Sequence, residues 1–197
     1  NSALPLPTDG GLHEIPAIAY PSDVFFGAVM ERRILPYLDP ALVYIPKVET
    51  ALTLGAVPGF AVHMPGGQFK APTLSLSGDR AADYFRNIFA GKLFLATAGV
   101  ALDAGLTYPS FADLQLKEAM IKAASHVCLV ADSSKINKSS FTRLGSLDVI
   151  HSFITDDGIS AADAKEFKRR GIDLMIVPQQ IYQGLDSFLL LAIPLFL

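Results

Sequence analysis

Short apolar runs alternate with stretches of helical periodicity along most of the chain. The runs are Leu42–Ile45, Phe60–Met64, Leu93–Ala96, Val127–Ala131, Val149–Thr155 and Leu174–Val177. Several are bounded by Gly, Pro or Asp, as buried strands are. Strands alternating with helices predict an α/β fold, a mostly parallel sheet covered by helices. One helix is predicted from Asp79 to Ala90. Ser77 is its candidate cap, Ala82, Phe85 and Phe89 its apolar stripe and Gly91 its stop. A second runs from Ala112 to Ser125, with Leu116, Met120, Ala123 and Val127 close to one side and Leu114, Ile121 and Ala124 extending it. A third runs from Ala161 to Arg170. Ser160 caps it, Asp163 stands three residues on, Lys168, Arg169 and Arg170 suit its last turn, and Gly171 terminates it before a strand ending at Val177.

The first forty residues break this rhythm. Six prolines, with Gly10-Gly11, exclude long helices there. Val24–Phe26 reads as a short strand and Met30–Leu35 as a helical turn or two stopped by Pro36. Residues 1–40 are therefore set apart, as an irregular segment or as part of the same domain, from a main domain over 41–197. At the other end, Phe188–Leu197 is apolar. It is half the roughly 20 residues a membrane span needs and is broken by Pro194, so it reads as a buried strand or a subunit-packing segment.

Composition narrows the class. A chain of 197 residues with 51% hydrophobic and 18% charged residues builds a large core without disulfide or metal staples. A single cysteine, Cys128, cannot form an internal disulfide, which suits a reducing, cytoplasmic setting; within Val127–Val130 it reads as a small buried hydrophobe. No basic, apolar leader opens the sequence. Net charge is −3 and the basic pairs Arg32-Arg33 and Arg169-Arg170 are isolated, so these residues by themselves are not expected to bind DNA.

Ligands of open α/β sheets bind where strands end and helices begin, which directs attention to the loops after the apolar runs. Gly66-Gly67 lets backbone amides approach a phosphate, or makes an ordinary turn. Lys117 shares a helix side with Leu114, Ile121 and Ala124, so its ammonium snorkels outward, pairs with Asp113 four residues earlier, or points at an anion. Asp132-Ser133-Ser134-Lys135 offers hydroxyls and an ammonium to an anion, or is a turn whose Asp caps the next element. Asp156-Asp157 reads as a loop feeding the third helix rather than as a metal site. The histidines His13, His63, His126 and His151 make no spaced metal motif, and no nucleophile elbow or phosphate-binding P-loop occurs. No cofactor and no metal are expected.

Several of these segments resemble one family. Lys92 to Val100 (K-L-F-L-A-T-A-G-V) is similar to the D-K-A-F-L-G-A-D-G-V strand and loop of effector domains from bacterial DeoR-type repressors. Gly105-Leu106-Thr107 through Lys117 resembles their G-L-T-T-x-N-x-x-E-A-x-V-K segment, Leu129 to Lys135 their L-L-A-D-S-S-K-F, and Ile154 to Gly158 their V-T-D-D-G. A weaker match reaches back through Gly66-Gly67 to about Leu42. The resemblance implies a Rossmann-like fold related to ribose-5-phosphate isomerase, a phosphorylated sugar or related metabolite as effector, and control of operator DNA through an N-terminal winged helix-turn-helix that these residues do not show. With the apolar tail it also suggests a homo-oligomer, dimer or tetramer; no apolar run is long enough for a membrane span, so no membrane partner is expected.

Carried over residue by residue, Gly66, Gly67, Gly99, Thr107, Asp113 and Lys117 fall on the family's ligand-pocket motifs, with Gly27, Lys47 and Lys135 as weaker matches. Some positions depart from the pattern. The acid of A-D-G-V is Ala98, the Asn is Ser110, the Glu is Asp113, and the T-N-S turn is Ile45-Pro46-Lys47. The Gly-Thr/Ser phosphate loop corresponds to Phe25–Val29, which has one glycine and no hydroxyl. Two further readings compete with a non-enzymatic sensor. One is an isomerase of the related fold, which would need a general base where Ala98-Gly99-Val100 stands and has Asp103 as a substitute. The other is an oligomerisation module that has lost its ligand.

Overall fold

In the computed structural model, the residues described are 17–20, 42–56, 58, 61–111 and 114–178. Apolar residues dominate a seven-stranded sheet in which every strand pairing is parallel, as in sheets covered on both faces. Its strands are β1 (Ala17–Tyr20), β2 (Leu42–Tyr44), β3 (Ala61–His63), β6 (Ala90–Leu95), β9 (Ala124–Val130), β11 (Ser152–Asp156) and β12 (Asp173–Val177). They lie in the order β12-β11-β9-β6-β1-β2-β3. Two antiparallel pieces lie outside the predicted strands. A hairpin pairs β4 (Gln68–Lys70) with β5 (Ser75–Ser77), and a three-stranded sheet orders β10 (Thr142–Gly145), β8 (Gly105–Tyr108) and β7 (Gly99–Ala101). Each of these strands is three or four residues long, too short to give a readable alternation.

Four α-helices are described: α1 (Val48–Gly55), α2 (Asp79–Arg86), α3 (Leu114–Ala123) and α4 (Ala161–Arg169). Leu93 and Leu95 of β6, Val127 and Leu129 of β9 and Phe153 of β11 share one sheet face by register. With Ala81, Ala82 and Phe85 of α2, Leu116, Ala119 and Met120 of α3, and Phe167 of α4 they form one buried cluster. Phe153 and Phe167 meet edge to face at 5.1 Å. Burying each such large side chain contributes about 1.5–3 kcal/mol.

Three boundaries differ from expectation. Gly78 (φ 90), not Ser77, precedes α2, since Ser77 is held in the hairpin opposite Gln68. The helix ends at Arg86, so Phe89 is 89% exposed, and Gly91 lies inside β6, where pairing with β1 and β9 outweighs its low strand propensity. α3 passes directly into β9 at Ala124, which pairs with Ala90, so Ala124–His126 are strand where the periodicity predicts helix and connection. Leu147–Val149 form a 3-10 turn ahead of β11. The predicted elements at 24–26, 30–35 and 188–197 lie outside the described residues.

Candidate functional site

From β1 the sheet runs outward through β2 and β3 on one side and through β6, β9, β11 and β12 on the other. Strand order reverses between β1 and β6, where Tyr20 lies opposite Leu95, and the crevice beyond such paired carboxyl ends is where open α/β sheets take ligands.

On the β6 side the chain continues through Ala96 and Thr97. The Tyr108 hydroxyl, at the end of β8, donates to the Ala96 carbonyl at 2.5 Å. The Lys117 ammonium on α3 stands 4.3 Å from the centroid of the Tyr108 ring, and Lys117 is only 3% exposed. Beside them, Gly99 and Thr107 pair across β7 and β8. A Cβ on Gly99 would drive into the Lys138 carbonyl and stand 2.8 Å from Thr107 Oγ1, so only glycine fits. Thr107 Oγ1 donates to Gly99 O (3.2 Å) and accepts from Ser140 N–H (2.9 Å), binding the 138–140 loop to the small sheet. Thr97 Oγ1 is shared between Gly99 O and Thr107 O, both at 3.0 Å.

On the β2 side, Tyr44 packs edge to face with His63, Tyr84 and Phe85. Burial, then Tyr44, raises the Tyr84 pKa. Lys47 precedes α1 and its ammonium pairs with Glu49 at 3.2 Å. The β4–β5 hairpin docks here through Leu76 N–H to Pro46 O (2.7 Å) and Val48 N–H to Leu74 O (2.8 Å). Gly66 is open around its Cα. Gly67 (φ 128) is not, because a side chain would strike the Ser77 carbonyl beside Ala81 of α2. Lys117 thus stands against Tyr108 near the end of β6, Gly99 and Thr107 pair with each other in the small sheet, and Lys47 and the Gly66-Gly67 turn lie on the β2–β3 side.

Lys135 lies two strands from β1, in the 3-10 turn after β9. There the sequence left an anion loop and a capping turn open, and Asp132 makes a cap, accepting from Ser134 N–H at 2.9 Å. Asp156, 1% exposed, accepts from Ser133 N–H (3.1 Å) and Gly158 N–H (2.8 Å), tying the loops after β9 and β11 together. Gly27 and Asp113 lie outside the described residues. No group of three or more His, Cys, Asp or Glu side chains among the described residues is placed to hold a metal, and no described helix is long and apolar enough to cross a membrane.

Residues 33–157 match the DeoR C terminal sensor domain. The chain belongs to that family. The HTH-type transcriptional regulator GlpR of Haloferax volcanii is 31% identical over 66% of this chain and 55% of its own length. The transcriptional repressor AccR of Agrobacterium fabrum is 30% identical over 65% of the chain and 48% of its own length. The glycerol-3-phosphate regulon repressor of Escherichia coli is 24% identical over 56% and 44%. The chain spans about half the length of the curated relatives it matches.

In this DeoR sensor domain, sequence reasoning missed two residues of the rim. Tyr108 carries no signal because its partners, a carbonyl and an ammonium, come from a different strand and a helix. The sequence marks Asp156 as part of an acidic pair but carries no sign that it is a buried acceptor joining two loops. Cys128 is the buried hydrophobe its apolar run predicts, and burial pushes its thiol up to about 11, which keeps it protonated and unreactive.

Proposed function

We propose that this DeoR sensor domain is the effector-binding part of a transcriptional repressor of sugar catabolism. It takes a phosphorylated sugar or related metabolite in the crevice between β1 and β6 and catalyses no reaction. The observation that carries the reading is the Lys117 ammonium, 3% exposed and close to the Tyr108 ring that is bonded to the carboxyl end of β6. An ammonium withdrawn from water at that rim is a strong donor to a phosphate oxygen. Lys47 and the Gly66-Gly67 turn stand across the switch point, where their charge and backbone amides would meet the rest of such a ligand.

The relatives are named as transcriptional regulators and repressors, one of them of a glycerol-3-phosphate regulon. The effector here acts by binding two states of the regulator unequally, shifting operator affinity in a DNA-reading part outside the residues described. The sensor domain includes Ala17–Tyr20, which pairs with both β2 and β6, along with residues from 41 onward. It works in the cytoplasm as a homo-oligomer, whose copy number light scattering reads.

Calorimetric titration with a panel of sugar phosphates and their unphosphorylated parents tests the reading. Saturable binding of a phosphorylated compound is expected, weakened roughly tenfold or more in Lys117→Ala, the loss typical of a charged hydrogen bond. Equal affinity for the parent sugar, or an indifferent Lys117→Ala, overturns the site. Turnover of any panel compound overturns the non-enzymatic assignment.

A further inference from the structure

By register, Ala19 of β1, Phe94 of β6, Cys128 and Val130 of β9, Ile154 of β11 and Met175 and Val177 of β12 share one face of the large sheet. Helices α2, α3 and α4 pack on the other face, over Leu93, Leu129 and Phe153. α1 does lie on the Phe94 face, but at its β2–β3 end, where Ala51 and Leu54 meet Ile45 and Val62. Among the described residues, no helix covers this face over β6, β9 and β11. Yet Phe94 and Cys128 are 5% exposed, Ile154 is 3% exposed and Val130 is fully buried. They are withdrawn from water within a single chain, so a second copy is not what buries them.

We infer that the cover is residues 188–197 of this chain, docked across β12, β11, β9 and β6. Those ten residues carry no polar side chain, and such a segment requires an apolar surface. The face supplies one in its carboxyl half. Its amino end is polar, with Lys92 opposite His126 and Ser152 opposite Asp173. The apolar half is also where β12 ends, with Val177 pointing to this face and 4% exposed. Residues 178–187 extend up to ~33 Å, ample to turn back onto the sheet. Three strand spacings of ~4.8 Å separate β12 from β6, a width that ten residues span even when coiled as a helix at ~1.5 Å each.

The other two outlying segments are placed less well. Residues 21–41 are tethered at Tyr20 and Leu42, and a parallel crossover covers the strands it joins, here β1 and β2. Residues 1–16 reach the sheet at the amino end of β1 and carry Asp9, His13 and Glu14. The docked segment is independent of what the crevice at the carboxyl pole binds.

Cys128, the single cysteine of the chain, reports on the face directly. Burial holds its thiol up to about 11, so a chromogenic aromatic disulfide should react with it slowly. In the full chain carrying Leu189→Asp, Leu190→Asp and Leu191→Asp together, the reaction should be faster by roughly tenfold or more, since access and an ordinary thiol acidity return together. Unchanged labelling in that variant, with unaltered circular dichroism, overturns the proposal.

A second measurement decides where the triple variant does not fold. Leu189→Cys, Leu190→Cys, Leu191→Cys, Ala192→Cys, Ile193→Cys and Leu195→Cys are made singly in the full chain and oxidised with diamide at low protein concentration. A disulfide needs Cα atoms within ~7 Å, so an intrachain bond to Cys128 is expected at one or two positions and not at their neighbours, read by mass spectrometry of proteolytic fragments. No bond at any position, or equal yield at every position, overturns the proposal. So do bonds that form only between chains, which would assign the segment to a partner copy.

Discussion

Thr155 is fully buried on β11, and its hydroxyl has no hydrogen-bond partner among the described residues. A buried hydroxyl without a partner loses its hydration and recovers nothing. Thr155→Val, nearly isosteric, should raise the free energy of unfolding by about 1 kcal/mol. Urea denaturation measures this, and a destabilised variant would show that the hydroxyl is satisfied in solution. Residue-scale chemistry was legible only where its cause was local. Lys117 stood out because it shares a helix side with an apolar stripe. Tyr108 did not, since its hydroxyl bond to Ala96 spans twelve positions and runs from one strand to another. At Asp132 the sequence allowed an anion loop or a cap, and the choice depended on the tight turn that brings Ser134 N–H to its carboxylate.

At the scale of elements, α4 was the most readable. Ser160 Oγ accepts from Asp163 N–H at 3.1 Å and donates to the Asp163 carboxylate at 2.6 Å, so the acid turns back onto the serine hydroxyl, where a capping box would take the serine backbone N–H. Arg169 grips both oxygens of Glu166 at 2.7 Å, and with Arg170 beside it the Glu166 carboxyl is held down to about 2. That pair is solvent-exposed and screened, whereas the cap satisfies an orphan backbone donor. Ser160→Ala should therefore cost about 1 kcal/mol of stability. An unchanged urea midpoint would mean that the first turn of α4 frays without consequence. α2 was harder to bound, because the residue that ends a helix is decided by what pairs next. Gly91 has the composition of a helix stop, yet strands on both sides recruit it into β6.

Across the whole molecule, the two poles of the parallel sheet differ. The carboxyl pole holds the candidate site, and the amino pole holds a histidine pair. The rings of His126 and His151 lie 4.9 Å apart, His126 Nε2 is 3.0 Å from Ser152 Oγ, and His151 Nδ1 accepts from Val127 N–H at 3.0 Å. Burial, then His151 and Lys92, holds the His126 pKa below the ordinary histidine range, with Asp173 opposing. Above about pH 6.5 the folded and unfolded chains are both neutral at this site. As pH falls below that, the unfolded chain takes up its proton first, so stability drops until the depressed folded pKa is passed. Urea midpoints should be lower at pH 5.5 than at pH 7.5, with a smaller difference in His126→Gln; an identical difference in that variant would remove His126 as the cause. By itself, the sequence determined the α/β class, the core strands from Leu42 onward and the caps of α4, because each follows from periodicity and nearest-neighbour chemistry within a few residues. Only the tertiary structure decided the strand order that makes a switch point at β1 and β6, the three-stranded sheet that carries Tyr108, and the meeting of that ring with Lys117. Those depend on pairings between residues far apart in the chain, where local pattern carries no register.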